Sequence, residues 1–229
     1  MTSPLSRQTA GQRGAALLTI LIVMALLGTV AAALVFVVAA ESLTSGNHRL
    51  AQSSMYAADT ALERAIGGLG VLTDWSGVPG AGTIAGPDFF DGSPAPRLPD
   101  GSVLDLARLA AERQAESDAV YGLSANRPVW HLFGRAALDA LLPAGMVSTP
   151  AYLVVWVADD GDDGDGDPLR DSNGVVMLRA EAFGPSGARR RIDAVVARPV
   201  PVAAIETDPP TPPPTDRPGI RVLCWRPVQ

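Results

Sequence analysis

The stretch QRGAALLTILIVMALLG, residues 12–28, sets an arginine and a glycine directly against a long apolar run. No charged residue occurs from Ala15 to Ala40, and Glu41 is the first to follow. Those 26 residues extend about 39 Å as a helix. A hydrocarbon core of roughly 30 Å needs only about 20 residues. A secretory signal peptide has a shorter apolar core, about 7–15 residues, ahead of a small-residue cleavage site. Val38-Ala39-Ala40 offers such a site, but the run is too long for that reading. Arg7 and Arg13 precede the run and Glu41 follows it. The positive-inside rule then places the short N-terminal end in the cytoplasm and the bulk of the chain outside.

Helical patterning continues past the apolar run. Residues 42–66, SLTSGNHRLAQSSMYAADTALERAI, hold no proline. Ala51, Met55, Ala58, Leu62 and Ala65 recur at spacings of four and three, the apolar stripe of an amphipathic helix. Gly67, Gly68 and Gly70 are expected to end it. A plain anchor needs only the first half. A stripe on the second half implies packing against a folded domain.

That domain has the sequence marks of an α+β fold. Residues 67–103 are rich in Gly and Pro and read as an irregular loop. A short helix is expected within Leu104–Gly122 and another at Phe133–Leu142, stopped by Pro143. Strands are expected at Tyr152–Ala158, Val175–Phe183 and Arg189–Ala197. The last two are joined by a short turn at Gly184–Gly187 that suits a hairpin. Ile220–Trp225 reads as a fourth strand, and the prolines of the segment before it rule out a central strand or helix there. The boundaries that follow are 1–14, a basic leader; 15–66, the membrane-spanning plus amphipathic helix; 67–200, the outer α+β domain; and 201–229, a Pro-rich segment with a C-terminal strand.

RGAALLTILIVMALLGTVAAALVFV followed by NHRLAQSSMYAADTALERAI resembles the N-terminal region of type IV pilin-like proteins, and within them the PilX group of minor pilins. The resemblance covers about the first 66 residues. It implies a short basic leader cut by prepilin peptidase on the cytoplasmic side of the inner membrane, between Gly14 and Ala15. It also implies a mature helix that packs with other pilins, and a long helix leaning on a small antiparallel sheet in the periplasm and then in the pilus. Small residues Ala16, Gly28, Ala31, Ala32 and Ala33 permit close helix approach. The sequence departs from major pilins at the fifth mature position, where Thr19 stands in place of their Glu. An intramembrane carboxylate is expensive unless partnered, and Thr19 cannot supply that ion pair. The departure points to a minor or initiating subunit. The K-type pseudopilin of type II secretion is similar in lacking the Glu. A signal-anchored, Ca²⁺-dependent adhesin that never enters a filament is the alternative from a different class.

Residues 159–174, DDGDDGDGDPLRDSNG, carry Asp159, Asp160, Asp162, Asp163, Asp165 and Asp167 ahead of Asp171 and Asn173. Oxygen ligands on a Gly-rich loop suit Ca²⁺, which takes about 6–8 of them. Asp163, Asp165 and Asp167 have the alternate spacing of the first ligands of an EF-hand, with Asp171 and Asn173 available behind them. Pro168 and Gly174 then stand where that motif requires Gly and Glu, so the loop is not an EF-hand. A solvated acidic turn between two strands is the competing reading.

The remaining features exclude more than they assign. The formal charge of −6 gives no electrostatic basis for nucleic-acid binding. The two histidines, His48 and His131, have no second His or Cys at metal-ligand spacing. Nucleophile-elbow, phosphate-loop and dinucleotide fingerprints are absent from the sequence, so no enzymatic role is expected. Arg189-Arg190-Arg191 reads as a solvated sheet edge. Cys224, the single cysteine, reads as a small buried strand residue.

Overall fold

The computed structural model describes residues 9–81, 89, 91–93, 95–122, 124–143, 145–146, 149–198 and 219–228. The start of the expected leader and the Pro-rich segment lie outside these residues. The chain divides into two compact units, Met1–Arg49 and Leu50–Gln229, and the division falls inside the first helix.

Helix α1 spans Thr9–Gly70, 62 residues. In the first unit every described side chain is exposed, including Leu17, Ile22, Leu27 and Phe36. The hydroxyls of Thr19, Thr29 and Thr44 donate back to the carbonyls of Ala15, Leu26 and Ala40 at 2.9, 2.7 and 2.9 Å. Each of these three hydroxyls thus finds a partner within the helix. The apolar run is long and apolar enough to cross a membrane.

In the second unit the stripe read from the sequence becomes core. Ala58, Leu62 and Ala65 are buried, joined by Ala57, Ala61 and Leu69, while Ala51 and Met55 are half-buried. The helix does not stop at Gly67. Leu69 is fully buried, and its carbonyl accepts from the Trp75 indole at 3.1 Å and the Leu72 N–H at 3.0 Å. Burying a leucine contributes about 1.5–3 kcal/mol, which offsets the roughly 1 kcal/mol that a helical glycine costs. The Phe133 ring packs beside Gly68, where a Cβ would make an ordinary contact at 3.8 Å.

Five antiparallel strands form a meander in the order β1-β2-β3-β4-β5. They are β1 His131–Ala137, β2 Tyr152–Asp159, β3 Val175–Phe183, β4 Arg189–Ala197 and β5 Arg221–Val228. One face carries Leu153, Val155, Val157, Leu178, Ala180, Ile192 and Ala194, which share a core with the α1 stripe. The other face carries Tyr152, Val154, Trp156, Ala158 and Phe183, packed with Leu109 of helix α2, Leu106–Tyr121. Strand β2 is therefore buried on both faces along its whole length, which is why it reads as an unbroken apolar run. Asp105 caps α2 by accepting from the Arg108 N–H at 2.9 Å, and Gly122 ends it at φ 66°.

Three local expectations are corrected. The helix expected at Phe133–Leu142 is strand β1 through Ala137, with only a single helical turn, α3, at Leu138–Leu141. Phe133 is fully buried and β1 pairs with β2, so sheet pairing overrides local helix propensity. Strand β4 is not an edge, because β5 covers it. Cys224 lies on β5, one of the two edge strands, and is exposed.

The arginine run also has partners. Arg189 pairs with the fully buried Glu181, and Arg191 pairs with Glu116 at 2.8 Å. Arg113, buried on α2, lies 2.9 Å from Glu181 through Nε and also pairs with Glu116. The Arg113–Glu181 contact is an ion pair lacking hydrogen-bond alignment. Arg179 grips Asp193 with two bonds of 2.8 and 3.0 Å and stacks 4.5 Å from the Trp130 ring.

Candidate metal centre

Strand β2 ends at Asp159, and the chain turns out of the sheet through the acidic loop before re-entering at Val175. Asp159, Asp160, Asp163 and Asp171 are buried, whereas Asp162, Asp165 and Asp167 are exposed. The alternate spacing picked out by sequence is thus divided. Asp165 accepts from the Asp167 N–H at 2.8 Å, and Asp167 accepts from the Leu169 N–H at 3.1 Å. These two carboxylates shape the turn, while Asp163 points inward.

The inward group is Asp159, Asp160 and Asp163, which each offer one oxygen within 4.8 Å of the others. Asp163 is held by Ser172, whose N–H and hydroxyl donate at 2.7 and 2.5 Å. Asp160 accepts from the Asn173 amide at 2.9 Å. Asp171 accepts from the N–H groups of Gly174 and Val175 at 2.7 and 3.1 Å and closes the return to β3. Gly174 sits at φ 78°, a conformation that favours glycine. Asp171 and Asn173 therefore brace the three-carboxylate group from the returning arm. Sequence spacing passed over Asp159 and Asp160 as ligands. The available signal was their place at the end of a continuous apolar strand, where a carboxylate is carried inward.

The electrostatics follow from this crowding. Burial, followed by the charges of Asp163, Asp160 and Asp171, pushes Asp159 up to about 8. The Asp160 N–H offsets this in small part, from outside hydrogen-bonding geometry. Burial also works to raise Asp163, but the Ser172 hydrogen bonds outweigh it and hold that carboxyl low. Asp171 is raised, chiefly by burial.

The other residues singled out by sequence lie elsewhere. Gly14 and Ala15 fall inside α1, which begins at Thr9. His48 is exposed on α1, and His131 opens β1, half-buried, with Nε2 lacking a hydrogen-bond partner. No family model, curated protein or solved structure matches this chain.

Proposed function

We propose that this chain is a membrane-anchored, pilin-like assembly subunit of the PilX minor-pilin type. Prepilin peptidase would cut it between Gly14 and Ala15, and Ala15 onward would pack laterally among other pilin helices. The observation that carries the reading is the division of labour along α1. Its first part is apolar and exposed all round, and its last part is the stripe that completes the core of an antiparallel sheet. A membrane anchor alone needs no such stripe. A helix serving filament assembly needs an uncovered apolar surface at one end and a firm hold on its own domain at the other. With Thr19 at the fifth mature position, the subunit lacks the carboxylate of major pilins and occupies few places in the filament, at its tip or its start. The domain lies on the periplasmic side of the inner membrane before assembly.

N-terminal sequencing of the protein extracted from membranes tests this. A start at Ala15 that disappears when prepilin peptidase is deleted is the expected result. A start at Met1 or near Glu41 in cells with active peptidase refutes it. The first result also separates the proposal from a signal-anchored Ca²⁺-dependent adhesin, which the acidic centre alone would favour.

A further inference from the structure

The acidic centre contains a carboxylate whose burial the rest of the fold does not explain. Asp159 is 2% exposed, and neither of its oxygens has a hydrogen-bond partner. Unpaired buried carboxylates are costly, and proteins retain them where a cation or proton completes the site. The oxygens of Asp160 and Asp163 lie beside it, within 4.8 Å. Two ligands of one Ca²⁺, each at about 2.3–2.6 Å, stand no more than roughly 5 Å apart. The three carboxylates thus already have the spacing of ligands to one ion. The bonds from Ser172 and Asn173 fix two of them in place and leave lone pairs free, since each carboxylate oxygen can accept twice.

We propose that Asp159, Asp160 and Asp163 bind a single Ca²⁺, with Asp171 and Asn173 bracing the loop that carries them. The all-oxygen donor set disfavours zinc and other soft-ligand metals. Its irregular arrangement, from three positions within one turn, suits calcium better than magnesium, which demands near-octahedral geometry. Waters complete the shell. The ligand set differs from the spacing-based one because Asp165 and Asp167 face solvent.

Calcium at this point locks a junction. The Asp171 N–H donates to the Ser76 carbonyl at 3.2 Å, so the loop is tied to the segment that follows α1. At Gly80 a Cβ would stand 2.7 Å from the Leu169 carbonyl, and at Gly161 it would stand 3.0 Å from the Tyr121 ring. The loop therefore packs closely on the exit of α1 and on the end of α2. An ion that holds Asp159, Asp160 and Asp163 together also holds these two segments to the end of β2. This assignment does not rest on the assembly reading, and a failure of either leaves the other standing.

The test uses the full chain in detergent, stripped with EDTA and titrated with CaCl₂ or MgCl₂. Thermal unfolding and calorimetry are the readouts. At about 5 mM, above the weak range of extracellular calcium modules, Ca²⁺ raises the wild-type Tm and gives heat fitting one site. Asp159→Asn and Asp163→Asn lose the response. Asp159→Asn unfolds in EDTA within a few degrees of the wild type, because the amide matches the carboxyl in size and is neutral, which shows that the variant is folded. Asp165→Asn and Asp167→Asn keep the response. No Tm shift and no heat in the wild type overturns the proposal, as does a wild-type response in Asp159→Asn. An equal response to Mg²⁺ overturns the choice of calcium, and loss of response in Asp165→Asn or Asp167→Asn overturns the ligand set.

Discussion

Replacing Glu181 with leucine exposes what the buried ion pairs on the α2 face contribute. Glu181 is fully buried, and its partner Arg113 has a side chain only 3% exposed. Breaking a buried pair by removing one member costs about 3–5 kcal/mol, because the remaining charge is left in a poor environment. Here Arg113 keeps Glu116 and, at 3.7 Å, Glu112. The cost therefore falls near the lower end, about 3 kcal/mol. Arg189, the other partner, is 39% exposed in its side chain and can be rehydrated. In a folded region of this size, 1 kcal/mol corresponds to about 2–4 °C, so Tm drops by roughly 6–12 °C. The double variant Arg113→Met with Glu181→Leu removes both charges and recovers most of the loss, since apolar replacements of buried pairs are often neutral or stabilising. Urea unfolding of the detergent-solubilised chain, followed by tryptophan fluorescence, gives the double-mutant cycle. A loss below about 1 kcal/mol in the single variant, the value of an exposed pair, refutes the reasoning. So does a double variant no more stable than Glu181→Leu.

Two further outcomes follow from close contacts and from charge. A Cβ at Gly184 would lie 2.7 Å from the buried Ser54 hydroxyl. Gly184→Ala is therefore expected to cost about 1–3 kcal/mol by overpacking, and adding Ser54→Ala restores most of it in the same urea assay. In EDTA, Asp159 keeps its proton in the folded chain up to about pH 8, while the unfolded carboxyl loses it near the ordinary aspartate value of 3.8. The folded state then binds more protons through that window, so the stability this group contributes is fully present below the unfolded value and lost as pH rises through the folded one. Urea midpoints between pH 5 and 8 check this, and Asp159→Asn flattens the slope.

The three strands at 152–159, 175–183 and 189–197 were legible because β-branched runs and the Gly184–Gly187 turn are local signals. Strand β1 was not, because HLFGRAA has neither alternation nor a turn at its start. Its pairing with β2 decides its state. The arginine run misled for a related reason. Charge on a strand reads as an edge until a distant strand, here β5 beyond the proline-rich segment, is seen to cover it. The candidate ligands divided along the same line, since spacing along the chain cannot say which carboxylates of a turn face inward.

By itself, the sequence determined a membrane-length apolar helix, the stripe that extends it, and the α+β class. Each depends on periodicity over neighbouring residues, which hydrophobic burial enforces locally. Only the tertiary structure decided that Asp159 and Asp160 join Asp163, and that the buried Arg113 and the exposed Arg189 both pair with the buried Glu181. The first depends on which side chains of one loop turn inward, the second joins helix α2 to strands β3 and β4, and the energies of both depend on exclusion from water. That exclusion exists only once both faces of the sheet are covered.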